Sequence, residues 1–233
     1  MDTGFGPRII FELPGGIPIT ETVTTTWIIM AVLIAFAYIG TSKFEKIPRG
    51  LQNGVELLIE GIYALTAQTM GEDKKKAFAP YMGTLMIFLV FANLAGLFGL
   101  RPPTADVNTT LGLALMTFVM IHGNGMRKKG VGAYLKGFLD PFPVMLPLNV
   151  IGELATPISL SFRLFGNIVG GLIIMSLLYG ALGGLSAKLG MSIPFFMTAI
   201  PAPLHIYFDV FAGVLQSFIF TMLTMVFVSL AMD

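Results

Sequence analysis

From Val144 to Leu185 the chain runs through 42 residues in which Glu153 and Arg163 are the only charged side chains. As an α-helix this stretch would be roughly 60 Å long at 1.5 Å per residue, about twice the thickness of a bilayer's hydrocarbon core. It must therefore be strongly tilted, broken, or both. A second apolar stretch, Met191–Met232, carries a single carboxylate, Asp209. Residues of this kind dominate the chain: 55% are hydrophobic and 12% charged. A soluble domain carries about 25% charged residues. The bilayer is thus the expected solvent for most of the protein.

The spacing of apolar segments predicts an all-α membrane protein with about five membrane-crossing helices. The first spans Val23–Thr41, with Trp27 and Tyr38 as interfacial anchors. It is expected to be a retained anchor, because residues 1–10 lack the basic start and apolar run of a signal peptide. Ala77–Leu100 and Val107–His122 supply the second and third. Residues 144–185 form a long, tilted helix around Arg163. Pro194, Pro201 and Pro203 favour a break before a last long helix at 204–231. Between the first two spans, Arg49–Met70 is amphipathic. Val55, Leu58, Ile59, Ile62 and Leu65 recur at helical spacing among Gln52, Glu56 and Glu60, which suits the membrane interface or a neighbouring helix. Residues 1–233 read as a single integral membrane domain, with no internal repeat.

Ten of the 14 basic residues fall in three segments: Lys43, Lys46 and Arg49; Lys74–Lys76; and Arg127–Lys129 with Lys136. Basic loops stay on the cytoplasmic side, so the N-terminus is expected outside and the C-terminus in the cytoplasm. The net charge of +1 suggests no nucleic-acid partner, and the absence of cysteine removes thiolate chemistry. No HExxH, GxSxG or phosphate-cradling loop is present. Neither cofactor nor metal is expected, and no nucleotide chemistry.

Arg163 carries the sharpest functional signal. A charge at mid-membrane costs about 2.5–3.5 kcal/mol or more, and guanidinium cannot discharge itself. The site must supply water, an anion, or both. Thr156, Ser159, Arg163, Asn167 and Gly170 follow spacings that put them on one helical face, polar or small throughout. In the last helix, His205, Asp209, Gly213 and Gln216 form a second such face, with an imidazole and a carboxylate able to exchange protons. Asn149 and Glu153 precede Arg163 on the inner part of its helix. They line an inward path, or Glu153 is simply solvated at the interface. His122 reads as an interfacial residue, and Arg101 and Asp106 as a possible pair in an outer loop. A secondary ion-coupled transporter is the rival class.

The segment Ser161–Asn167 (SFRLFGN) resembles subunit a of the F-type ATP synthase. So do Pro102–Leu115 (PPTADVNTTLGLAL), Pro141–Asn149 (PFPVMLPLN) and Leu215–Phe220 (LQSFIF). The resemblance implies an ion-translocating stator subunit for protons or sodium ions. Arg163 would face a Glu or Asp on a ring of small rotor subunits, with Asn167 and Gln216 beside it. Asp209 and His205 would belong to an outer half-channel, and Glu153 and Asn149 to an inner one. It further implies peripheral-stalk partners and a bacterial-type inner or plasma membrane. One departure is Leu172, which stands where many relatives carry an acid or histidine.

Overall fold

The computed structural model describes residues 7–14, 16–42, 45, 50–189, 197 and 200–233. Lys43, Lys46, Arg49 and Pro194, on which parts of the sequence reading rest, lie outside them. Strands β1 (Ile9–Leu13) and β2 (Ile17–Thr20) pair antiparallel as a short hairpin that alternation of residues had not suggested. Its second strand leads directly into α1 (Glu21–Thr41), where the Glu21 amide donates to the Arg8 carbonyl. Then follow α2 (Leu51–Met70), α3 (Lys75–Leu94), α4 (Val107–Lys129), the short α5 (Val131–Gly137) and α6 (Leu146–Lys188). The last helix, α7, is a continuous rod over Pro201–Met232, with a π-helical turn at Ile206–Phe211.

Among the described residues, four helices are long and apolar enough to cross a bilayer: α1, α3 with its 3₁₀ extension to Phe98, α6 with the turn before it, and α7. The chain is an all-α membrane protein apart from its hairpin. α4 is also long enough to cross, about 35 Å at 1.5 Å per residue. It is more polar than the others because Asn108, His122, Asn124 and three terminal basic residues interrupt it. Its place in the bundle explains this composition. α4 lies between α6 and α7 and buries Thr110, Ala114, Thr117, Ile121 and Gly125 along one face. Hydroxyl pairs join it to both partners: Thr110 to Ser161 at 3.0 Å and Thr117 to Thr224 at 3.2 Å.

Lipid is as apolar as leucine, so membrane helices associate through small residues and hydrogen bonds rather than by hiding hydrocarbon. α2 shows the consequence. Of its apolar stripe only Ile62 is buried, while Leu58 and Ile59 remain exposed. Ile62 seats against Gly83 of α3, where an added Cβ would come within 3.1 Å of it. Gln52, Thr66 and Met70 complete the buried face. The bundle's centre holds Leu85, Leu89, Ala114, Leu160, Leu164 and Phe220. Toward the basic ends, Met70, Met82, Ile121, Met225, Val228 and Met232 form a second cluster.

At 43 residues, α6 would measure about 65 Å along its axis. It runs without a break through Pro157. Tilt therefore reconciles its length with a bilayer of about 30 Å. α6 and α7 run antiparallel: Asn167 donates to the Ala212 carbonyl at 3.4 Å, and Gly171 faces Phe208.

Candidate functional site

Arg163 sits on α6 with its side chain exposed at the surface of the isolated chain. Ion pairs among the described residues include Lys74–Asp233, Lys75–Glu72, His122–Glu153 and His205–Asp209, and none of these involves Arg163. A permanent cation thus emerges from an apolar helix with no carboxylate of the described residues attached to it. Thr156, Ser159 and Arg163 share a cleft of about 190 Å³ with Leu160 and Phe227. Asn167, next on the same face, is held by α7 instead.

On the N-terminal side of Arg163 this cleft meets a larger one. A cavity of about 670 Å³ is lined by Asn149, Glu153 and Thr156 of α6, Tyr134 of α5, and Phe227 and Leu230 of α7. Gly152, Thr156 and Phe227 border both spaces, so polar surface continues from Asn149 to Arg163. Glu153 precedes Arg163 by about 15 Å along the helix axis. Asn149 is tied down by donating to the Phe138 and Asp140 carbonyls at 2.9 and 3.1 Å. Sequence reasoning missed two members of this region. His122 lies with Nδ1 2.8 Å from the Tyr134 hydroxyl and Nε2 3.8 Å from a Glu153 oxygen. Burial raises the Tyr134 pKa above its ordinary value, and Glu153's charge acts in the same direction, so the phenol keeps its proton near neutrality.

On the other side of Arg163 stands a second polar group. His205 Nδ1 lies 2.5 Å from Asp209 Oδ2, and its Nε2 lies 2.9 Å from the Tyr179 hydroxyl. Tyr179 is on α6, about 24 Å beyond Arg163 along the axis. It is the one tyrosine of that helix, and nothing in its apolar surroundings marks it beforehand. The π-helical turn encloses Asp209. Such wide turns alter which face later residues present, and they recur at functional positions.

The sequence placed His205, Asp209, Gly213 and Gln216 on one straight face. In the structure the face divides. His205 turns to α6, whereas Gly213 abuts Asn93 of α3. Asn93 donates to the Gly213 carbonyl and the Ser217 hydroxyl, both at 2.9 Å, and accepts from Thr104 at 2.7 Å. Gln216 is 6% exposed, and its amide nitrogen has no partner among the described residues. Asp106 caps α4 by accepting from the Asn108 amide at 3.0 Å, and its other oxygen accepts from Thr22 at 2.9 Å.

At the basic ends of the helices, Lys74 donates to Asp233 at 2.7 Å and to Ser229 at 3.3 Å. The Lys74 hydrogen bond holds the Asp233 carboxyl below its usual range, with Lys128 and Lys129 adding to the effect. No group of acidic, histidine or cysteine side chains suited to a metal ion occurs among the described residues. The arrangement offers proton-exchanging or cation-attracting groups at two separated places, with a fixed positive charge between them.

The family model for the ATP synthase A chain matches residues 23–229. The sodium-ion-specific ATP synthase subunit a of Propionigenium modestum is 39% identical, over 96% of this chain and 84% of its own length. ATP synthase subunit a of Moorella thermoacetica is 38% identical, over 96% of this chain and 95% of its own. An ATP synthase subunit a from Pelobacter propionicus is 34% identical, over 89% and 86%.

Proposed function

The chain belongs to the ATP synthase A chain family, an ion-translocating membrane subunit that works in a complex with others, and from that premise we propose that it moves ions through two offset half-channels against a rotor ring. Each small ring subunit carries a Glu or Asp that passes Arg163. The outer half-channel runs by Tyr179, His205 and Asp209. The inner one runs by Asn149, Glu153, Thr156 and Ser159. Asn167 and Gln216 stand beside the arginine, the Gln216 amide nitrogen buried and without a partner among the described residues.

One observation carries this reading. Arg163 is exposed and unpaired by any carboxylate among the described residues, and polar groups lie on both sides of it along a single helix. A cation so placed needs an anion from a neighbour, and a turning ring brings one repeatedly. An ion from the outer side neutralises the ring carboxylate, which then faces lipid at small cost. After nearly a full turn it meets the inner path and loses its ion. The bare carboxylate is drawn to Arg163 and must be reloaded before it leaves. The same positive charge repels cations and so blocks a direct leak between the two paths. One charge crossing 100 mV supplies about 2.3 kcal/mol, so several ions must be summed by rotation for each nucleotide.

On this reading the membrane is a bacterial-type plasma membrane, with the hairpin end outside and the Lys74–Asp233 end in the cytoplasm, the orientation that the basic segments favour. A peripheral stalk holds the subunit still against the ring. The ion is a proton or sodium. The sodium specificity of the Propionigenium modestum relative brings sodium into consideration, and a sodium dependence of ATP hydrolysis at alkaline pH distinguishes the two. The deciding experiment is Arg163→Ala in the reconstituted complex. It abolishes gradient-driven ATP synthesis while the complex still assembles. Coupled synthesis that survives this substitution would refute the proposal.

A further inference from the structure

The two paths leave unused a titratable side chain of the inner region that faces Glu153 directly, His122. His122 is held by aromatic neighbours: Phe118 meets its ring edge-on at a centroid distance of 4.0 Å, and Phe138 stacks at 6.4 Å. Tyr134 reaches it from α5, the short helix that follows Gly130. Tyr134, which remains a phenol, can donate to Nδ1 or accept from it, according to the tautomer of the imidazole. A neutral imidazole with Nδ1 accepting carries its own proton on Nε2. That nitrogen has no hydrogen-bond partner among the described residues, and it faces Glu153 at 3.8 Å.

We propose that His122 is a positioning residue for ion transfer on the inner side, held by Tyr134 so that its Nε2 orients Glu153 and sets the net charge of the pair at the cavity wall. The inference rests on the reading that the inner path passes Glu153. Imidazole is the side chain whose charge ordinarily changes between about pH 5 and 8. With His122 charged, the pair is neutral overall and the carboxylate is drawn toward the ring. With His122 uncharged, Glu153 leaves a net negative charge beside the cavity, which attracts cations. The argument is the same for protons and sodium ions.

The other charged and titratable groups around this site are few. α5 supplies Tyr134 and α6 supplies Glu153. Lys129, at the end of α4, and Asp140, between α5 and α6, line the adjoining cavity. α7 contributes Phe227, Leu230 and Ala231, none of which titrates. A purely structural role as an aromatic packing residue predicts no dependence of transport on the charge of His122.

The test uses the whole complex in inverted vesicles, whose medium bathes the cytoplasmic side. ATP-driven ion uptake is measured with the lumen buffered and the medium varied between about pH 5 and 8. The nucleotide-binding subunits are the same in all samples, so differences between profiles report on this chain. Uptake by the unsubstituted complex falls as the medium is acidified through the imidazole range. His122→Gln removes that fall and stays within about twofold of its own maximum. Tyr134→Phe keeps the fall but displaces its midpoint by about half a pH unit. A His122→Gln profile that superimposes on the unsubstituted one overturns the proposal. Where His122→Gln does not assemble, an undisplaced Tyr134→Phe profile overturns it equally. Glu153→Gln separates the two levels. If it pumps normally at every pH, the inner path through Glu153 fails as well. If it is impaired while the His122→Gln profile is unchanged, only the role of His122 fails.

Discussion

The Nδ1 atom of His205 lies 2.5 Å from a carboxylate oxygen of Asp209, one turn further along α7, while Tyr179 of the neighbouring helix occupies the opposite nitrogen. Every polar atom of the imidazole is thus committed, and Asp209 is the group that fixes which nitrogen carries the proton when the ring is neutral. Asp209→Asn keeps the shape and removes the charge. Gradient-driven ATP synthesis in proteoliposomes is expected to fall about a hundredfold, the low end of what a lost proton-exchanging group costs, with subunit content unchanged. The low end is expected because His205 and Tyr179 remain. An unaltered rate would remove Asp209 from the outer path.

Asn93 joins three segments with three hydrogen bonds, to Thr104, Gly213 and Ser217. Interhelical hydrogen bonds in membrane proteins are worth about 0.6 kcal/mol each on average, so Asn93→Ala should cost about 2 kcal/mol. The expected result is a lower thermal midpoint of the solubilised complex with ion coupling retained. If coupling is lost at full stability, Asn93 belongs to the ion path rather than to the scaffold.

Asp106 has two separable contacts, the cap on the Asn108 amide and the bond from Thr22. Losing a helix cap costs about 1 kcal/mol, and the side-chain bond adds a similar amount at most. Asp106→Ala should therefore destabilise more than Thr22→Val, which removes the second contact together with the Thr20–Thr22 hydroxyl pair at 2.8 Å. Equal losses in the thermal midpoints of the two variants would show that the cap is worth no more than that hydroxyl pair.

The legible parts of this protein are those whose signal is local. Arg163 is conspicuous because a charge in hydrocarbon is costly wherever the rest of the chain lies. The His205–Asp209 contact follows from four-residue spacing, since adjacent turns of one helix meet without help from tertiary structure. His122 was obscure for the opposite reason. It stands just before Arg127–Lys129 and so resembles an interfacial residue until α5 returns Tyr134 to it. The divided face of α7 was equally hidden, because the residues of a π-helical turn have the same spacing in sequence as those of an α-helix. α2 is amphipathic as its spacing indicated; which of its apolar residues docks was not legible, because Gly83 of the neighbouring helix takes Ile62 and leaves Leu58 and Ile59 exposed.

Gly125 of α4 tests how tightly the inner region is built. A Cβ there would meet Tyr134 Cε2 at 2.5 Å and the Ala231 carbonyl oxygen at 3.1 Å. The tyrosine ring can move only by loosening its hold on His122, and the carbonyl belongs to the backbone of α7. Overpacking of this kind costs about 1–3 kcal/mol. Gly125→Ala is therefore expected to lower the thermal midpoint of the complex and to disturb the inner-side pH profile together. Removing the obstructing ring should relieve most of the penalty, so Gly125→Ala is expected to cost clearly less in a Tyr134→Ala background. Neighbours that clash couple in this way, whereas independent sites add. Strict additivity of the two substitutions in thermal unfolding would mean that the strain lies against Ala231 alone, and that the Tyr134 ring is free to leave His122.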